Sequence, residues 1–139
     1  MLAEVDDVFS IDAIIAVQAE KYFGECGKSN VVYVSPVGSR ETCDPKPTDT
    51  DDDRLVLVRD LQTFVGSLTQ AGFTVGGSFI CEQDFASLRR DKINIIATEK
   101  EEFYRRFMAA TRVAKRFNFL KKADRITLFQ AVLYGNFKQ

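Results

Sequence analysis

The chain of 139 residues is 45% hydrophobic and has a formal net charge of −1, a composition that indicates a single globular domain, residues 1–139, and excludes low-complexity classes. The absence of histidine excludes a Ser-His-Asp triad, a Cys-His pair and any zinc site built on imidazole. Residues 1–98 carry 9 Lys+Arg and 16 Asp+Glu, whereas residues 99–139 carry 10 and 4, giving net charges of −7 and +6.

This charge asymmetry has two interpretations. It can reflect an acidic site beside a basic surface, which suits a metal ion and a polyanion, or ordinary charge complementarity within the domain. Three cysteines without C-x-x-C spacing indicate free thiols in a reducing compartment. The acidic first residues do not resemble a signal peptide, and no apolar run approaches the roughly 20 residues that span a bilayer. We therefore expect a cytoplasmic protein with no membrane partner.

The first half of the chain predicts one helix and two strands. Ser10 can cap a helix over residues 10–23, which Gly24 would end. The β-branched and aromatic run at 31–34 predicts a buried strand that leads into a glycine turn at Gly38. Residues 55–58 predict a second buried strand, with the acidic residues 51–53 at its entrance.

The middle of the chain predicts a helix followed by two further strands. Apolar residues at helical spacing predict a helix from about residue 60 to 71, with Gly72 as its C-terminal glycine. Residues 73–81 have a strand-like composition interrupted by Gly76 and Gly77, which indicates a bulge or a loop edge. Residues 92–97 predict another strand.

Two helices are predicted at the C-terminal end. Thr98 and Glu101 have the spacing of a capping box that begins a long helix. One apolar stripe on that helix is predicted to pack on the sheet, formed by Phe103, Phe107, Ala110, Ala114 and Phe117. A separate stripe of Arg105, Arg112 and Arg116 can face a shared partner. A last helix over residues 124–134 is predicted to bury Ile126, Phe129, Val132 and Leu133.

This order of elements indicates the α/β (α+β) class, with a small mixed sheet flanked by helices and with helices at the C-terminal end. The chemistry concentrates between the first two strands. On an extended strand, residues i and i+2 point to the same side, so Asp51 and Asp53 present two carboxylates on one face while Asp52 points away. Carboxylates suit Mg²⁺, and the turn at Gly38 and Ser39 can expose amides and a hydroxyl to phosphate.

Each of these features also has a purely structural interpretation. Five acidic residues, Asp44, Asp49, Asp51, Asp52 and Asp53, can form a solvated loop without ligand geometry. Cys43 lies in the same loop, but without histidine it is predicted to be inert rather than a nucleophile. Residues 76–78 can form a second phosphate turn or, as we favour, a strand bulge.

The segment Gly38-Ser39, followed by Thr50-Asp51-Asp52-Asp53 and an apolar strand, resembles the signature of the polymerase-beta-like nucleotidyltransferase superfamily. A longer resemblance over residues 31–136 is to small nucleotidyltransferase-like proteins of tailed bacteriophages. It is carried by Gly38-Ser39-Arg40, Thr42-Cys43, Pro47, Thr50-Asp51, Asp53, Asn94-Ile95-Ile96, Asp124-Arg125 and residues 128–136.

The resemblance implies a catalytic site in which Asp51 and Asp53 hold Mg²⁺ or Mn²⁺, while Gly38 and Ser39 hold the phosphates of a nucleoside triphosphate. Arg40 would add a positive contact to the phosphates. Active members of the superfamily place a third carboxylate on a later strand, and the corresponding residue here is Asn94, a neutral and poorer metal ligand. Loss of that carboxylate would weaken turnover more than nucleotide binding. Asp91, Glu82 or Asp84 could substitute for it.

Two functions follow from the resemblance. The first is transfer of a nucleoside monophosphate to a hydroxyl acceptor, which could be RNA or a host protein held by Arg105, Arg112 and Arg116, or a small molecule. The second is a noncatalytic protein of the same fold that binds and inhibits a host macromolecule. A phage-encoded protein in the host cytoplasm is compatible with either. Nucleotide choice and oligomeric state cannot be predicted from the residues.

Overall fold

A computed structural model describes residues 30–48, 50–76 and 84–135 of the chain. Five strands in this part form one sheet: β1 (Val31–Val37), β2 (Asp52–Val58), β3 (Thr74–Val75), β4 (Ala86–Arg90) and β5 (Ile93–Thr98). Their order across the sheet is β1-β2-β5-β4-β3. Strands β2 and β5 are parallel, while the other neighbouring pairs are antiparallel. The helix predicted over residues 10–23 lies outside the described residues.

Among the described residues, four helices accompany the sheet: α1 (Ser39–Thr42), α2 (Leu61–Gln70), α3 (Glu101–Phe117) and α4 (Lys122–Tyr134). Helix α2 packs against one face, where it shares a core with Val56, Val58 and Leu88. Helices α3 and α4 cover the opposite face, where Phe103 and Tyr104 pack with Leu55 and Leu57. The predicted class, a small mixed sheet flanked by helices with helices at the C-terminal end, is confirmed. Within the described segments, no helix is both long and apolar enough to cross a bilayer.

Strand alternation decides which side chains face each helical layer. In β2, Val56 and Val58 point to the α2 layer, whereas Leu55 and Leu57 point to the α3 layer. The same alternation extends to the polar beginning of β2, so Asp53 lies on the α3 face. We call this side of the sheet the site face.

The boundaries of α2 follow from its caps. Asp60 accepts a hydrogen bond from the backbone amide of Thr63 at 3.2 Å and another from the Thr63 hydroxyl at 2.9 Å. Gly72 has a φ of 96° just beyond the C-terminal end, a conformation that glycine adopts without the steric penalty of a Cβ. The predicted helix and its terminal glycine are therefore confirmed.

The strands differ from the prediction in three places. Strand β2 begins at Asp52, so Asp52 and Asp53 lie within the strand rather than at its entrance. The strand predicted over 73–81 is described only at Thr74–Val75, since residues 77–83 lie outside the described residues. Strand β4 was not predicted. Its buried positions, Ala86 and Leu88, alternate with polar residues in too short a run to produce a clear apolar pattern.

The predictions for the C-terminal helices also need correction. Helix α3 begins after Lys100 rather than Thr98, and the Thr98 hydroxyl instead accepts from the Lys100 amide at 3.1 Å, so the predicted capping box is wrong. Phe117 is 63% exposed although its spacing placed it in the apolar stripe. Ile126 is 51% exposed rather than buried, because it lines a cavity instead of the core.

Candidate functional site

A cavity of about 450 Å³ opens between the site face and helix α4. The polar side of its lining comes mainly from the sheet and from the turn after β1. The residues lining that side are Gly38, Ser39, Thr50, Asp51, Asp53, Arg89 and Asn94. The sequence-predicted residues Gly38, Ser39, Asp51, Asp53 and Asn94 therefore meet in one cavity although 56 positions separate the first from the last.

Asp51 and Asp53 line this cavity together, and Asp52 does not. The Asp52 carboxylate instead pairs with Arg54 at 2.6 Å, and both residues line a neighbouring cavity. The structure therefore has Asp51 and Asp53 lining one cavity and Asp52 lining another, as the alternation of an extended chain predicts. It places two carboxylates beside the turn at Gly38 and Ser39.

Asn94 lies directly opposite Asp53 in the parallel register of β2 and β5. Its side-chain nitrogen donates to Asp53 Oδ1 at 3.0 Å, and its oxygen Oδ1 lies 3.1 Å from Ser87 Oγ. The Ser87 hydroxyl, as a donor, fixes the orientation of the amide. Asn94 therefore holds the carboxylate of Asp53 from the adjacent strand.

Gly38 makes room for Asp53. It has a φ of 81°, and a Cβ placed on it would lie 2.0 Å from Asp53 Oδ2. A side chain at this position would have to displace the carboxylate or the turn. The glycine therefore serves two purposes, because it permits the left-handed backbone conformation and the close approach of Asp53.

The pKa of Asp53 is raised above its ordinary value of 3.8, mainly because burial removes water from its carboxylate. The hydrogen bond from Asn94 acts in the opposite direction, whereas the nearby charge of Asp51 raises the pKa further. A carboxylate with an incompletely compensated charge stands to gain from a bound cation.

Asp51 already has a cationic neighbour. Arg89 Nη2 lies 2.8 Å from Asp51 Oδ2, and the arginine side chain is 61% exposed. Exposed ion pairs contribute little stability, so this arginine can leave Asp51 at small energetic cost. The pair places a positive charge of the protein itself beside one of the two carboxylates.

The remaining predicted residues lie outside this cavity. Arg40 donates to Thr50 Oγ1 at 3.2 Å and lines the neighbouring cavity of about 380 Å³. Arg105, Arg112 and Arg116 are exposed on α3, and Arg105 pairs with Glu102 at 2.9 Å.

None of the proposed substitutes for the third carboxylate is seen to fill its position. Asp84 pairs with Lys100 at 2.6 Å, and Asp91 occupies the β4–β5 turn with a φ of 54°. Neither lines the cavity. Glu82 lies outside the described residues.

Helix α4 supplies cavity residues that were not predicted as site residues, and two of them, Ile126 and Phe129, were predicted to lie in the core. Lys122 and Arg125 add positive charge, and Ile126 and Phe129 form an apolar wall with Phe107 and Ile96. The cavity thus pairs an acidic sheet side with a basic and apolar helical side. Helical spacing of Lys122, Arg125, Ile126 and Phe129 is a signal for one shared face, but only the fold shows that this face meets the carboxylates.

The residues present suit a divalent cation of the Mg²⁺ type. Across 30–48, 50–76 and 84–135 no group of three or more acidic or cysteine side chains forms a metal cage. Mg²⁺ does not need such a cage, because proteins commonly bind it through one or two carboxylates, water and substrate phosphates. Asp51 and Asp53 provide that pair.

The described residues form an α+β fold in which a mixed five-stranded sheet is flanked by helices, and an Asp-x-Asp pair lines one cavity together with a Gly-Ser turn. A solved structure described as conserved protein GrpB from Enterococcus faecalis shares this architecture. The TM-score is 0.59 over 88% of this chain and 90% of that one, with 14% sequence identity. Similarity at this identity establishes the fold alone. Neither a family model nor a curated protein matches the sequence.

Proposed function

We propose that the protein is a Mg²⁺- or Mn²⁺-dependent nucleotidyltransferase that moves a nucleoside monophosphate from a nucleoside triphosphate to a hydroxyl acceptor. The acceptor oxygen forms a bond to the α-phosphorus, and the bond from that phosphorus to the bridging oxygen of the β-phosphate breaks. Pyrophosphate leaves with that oxygen, and the proton of the hydroxyl passes to water. The proposal includes the origin in a tailed bacteriophage and the location in the host cytoplasm that the sequence resemblance implies.

One observation carries the proposal: the carboxylates of Asp51 and Asp53 enter the same cavity as the turn at Gly38 and Ser39. Asp51 and Asp53 would hold the divalent cation, which supplies charge stabilisation for the α-phosphoryl oxygens and the leaving pyrophosphate. Ser39 would donate its hydroxyl to the phosphate chain, and Gly38 would allow that chain to approach the backbone.

The helical side of the cavity supports binding of the rest of the nucleotide. Lys122 and Arg125 place positive charge where a triphosphate carries negative charge. Ile126 and Phe129 offer apolar surface for a nucleobase. Arg40 remains a candidate for a phosphate that extends toward the neighbouring cavity, and RNA or protein remains the candidate acceptor for Arg105, Arg112 and Arg116.

A second function is favoured by Asn94 and Arg89. Asn94 donates to Asp53 at 3.0 Å, and Arg89 pairs with Asp51 at 2.8 Å, so each carboxylate has a partner within the protein itself. A site whose carboxylates are already engaged in this way fits a noncatalytic protein that keeps the fold and inhibits a host macromolecule. The two functions differ in whether a metal ion can replace Asn94 and Arg89 as the partner of these carboxylates.

The test is transfer of label from α-labelled nucleoside triphosphates to components of a bacterial lysate with Mg²⁺ or Mn²⁺. We expect transfer by the native protein and its loss in Asp51→Ala and Asp53→Ala. Glu101→Ala is the matched control, because Glu101 is exposed at the beginning of α3 and lies outside the cavity. Absence of transfer together with unchanged capture of a host partner by both aspartate variants would establish the noncatalytic function.

Thermal unfolding provides an independent test of the cation. Mg²⁺ or Mn²⁺ with a nucleotide should raise the melting temperature of the native protein, since ligands that bind only the folded state stabilise it. The increase should be absent in Asp53→Ala. A specific dependence on Zn²⁺ would contradict an oxygen ligand set.

A further inference from the structure

One aromatic and one aliphatic side chain are exposed at the turn between α3 and α4. We call residues 116–122 the helical corner. Phe117 is 63% exposed and Leu120 is 55% exposed. The ring of Phe117 stacks on that of Phe119 with centroids 6.0 Å apart and an interplanar angle of 19°. The corner therefore presents a flat aromatic surface to solvent.

The chain around this corner is strongly basic. Residues 103–123 include seven Lys and Arg and no Asp or Glu. Three of the seven have acidic partners, since Arg105 and Arg106 pair with Glu102 and Lys115 pairs with Glu41. Within the part of the chain that the structure describes, no ion pair engages the other four, which are Arg112, Arg116, Lys121 and Lys122. Exposed cations thus flank the exposed ring of Phe117 along the chain.

The backbone of the corner is held by hydrogen bonds. The side chain of Asn118 accepts from the amide of Asp44 and donates to its carbonyl, each at 2.9 Å. Arg125 Nη1 donates to the carbonyls of Phe119 and Leu120, each at 2.8 Å. A surface that is fixed before binding loses little conformational entropy when a ligand arrives.

The corner adjoins the cavity of the candidate site. Lys122, its last residue, lines that cavity, and so does Arg125, which holds the corner in place. A ligand lying on Phe117 can thus continue past Lys122 toward Asp51 and Asp53.

We propose that the helical corner binds single-stranded nucleic acid. Unpaired bases stack on exposed aromatic rings regardless of sequence, and Lys and Arg neutralise the phosphates between them. A purely apolar partner would leave the four unengaged cations without a counter-charge, and a duplex would keep its bases from stacking on Phe117. The role of this strand as the hydroxyl acceptor rests on the proposed function, whereas its binding does not.

The test is fluorescence anisotropy of a labelled single-stranded RNA of about ten nucleotides, a length within the range of site sizes for such proteins. We expect Phe117→Ala to weaken binding roughly tenfold, which is the size of effect found in other proteins when the aromatic side chain under one base is replaced by alanine. Arg116→Gln should weaken binding severalfold and reduce its salt dependence. Both side chains are exposed, so neither substitution should impair folding.

Two control variants match these changes. Tyr33→Ala removes an aromatic ring that is 61% exposed on β1, and Lys100→Gln removes one exposed positive charge at the opposite end of α3 from the corner. Both should retain affinity close to that of the native protein. Equal losses in Lys100→Gln and Arg116→Gln would show that only overall charge matters, and the assignment to the corner would be wrong.

The proposal is overturned if the native protein does not bind the single strand at about 50 mM salt. It is also overturned if a duplex of the same length binds as tightly, or if vesicles of anionic lipid bind while the single strand does not. Asp51→Asn separates this inference from the proposed function, because it should abolish label transfer and leave strand binding unchanged. If Phe117→Ala leaves both label transfer and strand binding unaffected, the assignment of strand binding to the corner is wrong, whereas the proposed transfer activity stands.

Discussion

Asn94 donates a hydrogen bond from its side-chain amide to Asp53 Oδ1 at 3.0 Å, across the parallel strands β2 and β5. The neutral amide thus stabilises an aspartate that a third carboxylate would repel. This hydrogen bond lowers the pKa of Asp53, against the larger effect of burial, which raises it. A carboxylate at position 94 would instead depend on a bound cation to offset the repulsion.

Asn94→Asp should make this dependence measurable. A carboxylate 3.0 Å from Asp53 replaces a hydrogen bond with like-charge repulsion, so the free energy of unfolding should fall by about 2 kcal/mol without metal. Mg²⁺ should recover this loss and raise the melting temperature more than in the native protein. Ser87→Ala is the control, because it removes the hydroxyl next to Asn94 without adding a charge. An equal Mg²⁺ effect in all three proteins would contradict a cation site at Asp53.

Asp53→Asn should alter the pH dependence of stability. The pKa of Asp53 is raised in the folded state, chiefly by burial, so the unfolded state loses its proton at a lower pH than the folded state does. The native protein therefore loses stability as pH rises from 3.8 through the folded pKa, and this loss is absent in the variant. Denaturant unfolding of both proteins from about pH 3 to pH 7 should show a difference that grows in favour of Asp53→Asn. A difference that stays constant with pH would mean that the pKa of Asp53 is not raised.

Arg89→Gln should increase the affinity for divalent cations. The guanidinium lies 2.8 Å from Asp51 Oδ2 and competes with a cation for that carboxylate. In the absence of nucleotide, calorimetric titration with Mn²⁺ should give a dissociation constant several-fold lower than in the native protein. Arg105→Gln removes the same charge from an arginine paired with Glu102, away from the cavity. A gain in Arg105→Gln of the same size would attribute the effect to net charge rather than to Asp51.

Gly38→Ala should damage both the fold and the site. The substitution forces an L-residue into a φ of 81° and places its Cβ 2.0 Å from Asp53 Oδ2. We expect the free energy of unfolding to fall by about 2 kcal/mol or more, with loss of cation binding. Gly66→Ala is the matched control, because it lies inside α2 and its added Cβ would meet no atom within 4 Å. That variant should be more stable than the native protein by roughly 0.5–1 kcal/mol. Equal stability of the two variants would contradict the packing described around Gly38.

Local patterns were sufficient to predict several parts of the fold. The apolar run at 55–58 predicts β2 because both faces of that strand are buried, and Leu61, Phe64 and Leu68 predict α2 because they share one helical face. The location of Asp51 and Asp53 in one cavity follows from the two-residue repeat of an extended chain. These features depend on neighbours in sequence, which is why they can be predicted.

The rest depends on contacts that local patterns do not specify. Arg125 reaches Cys43 Sγ at 3.3 Å across 82 positions, and no spacing rule links those two residues. Phe117 continues the helical stripe of α3 but extends beyond the sheet, so its spacing predicts burial that the fold does not provide. Strand β4 has only Ala86 and Leu88 as buried residues, and its pairing with β5 compensates for a weak pattern.

The pairing of Asp53 with Asn94 also has a consequence for how the protein acquires its site during folding. These residues are 41 positions apart and meet only through the parallel pairing of β2 and β5. Contacts between distant segments form slowly, because the intervening chain must first lose conformational freedom. A nascent chain that has completed β1, β2 and α2 therefore carries its acidic pair without the amide that restrains it. Binding competence should arise only after β5 has been synthesised and has docked beside β2.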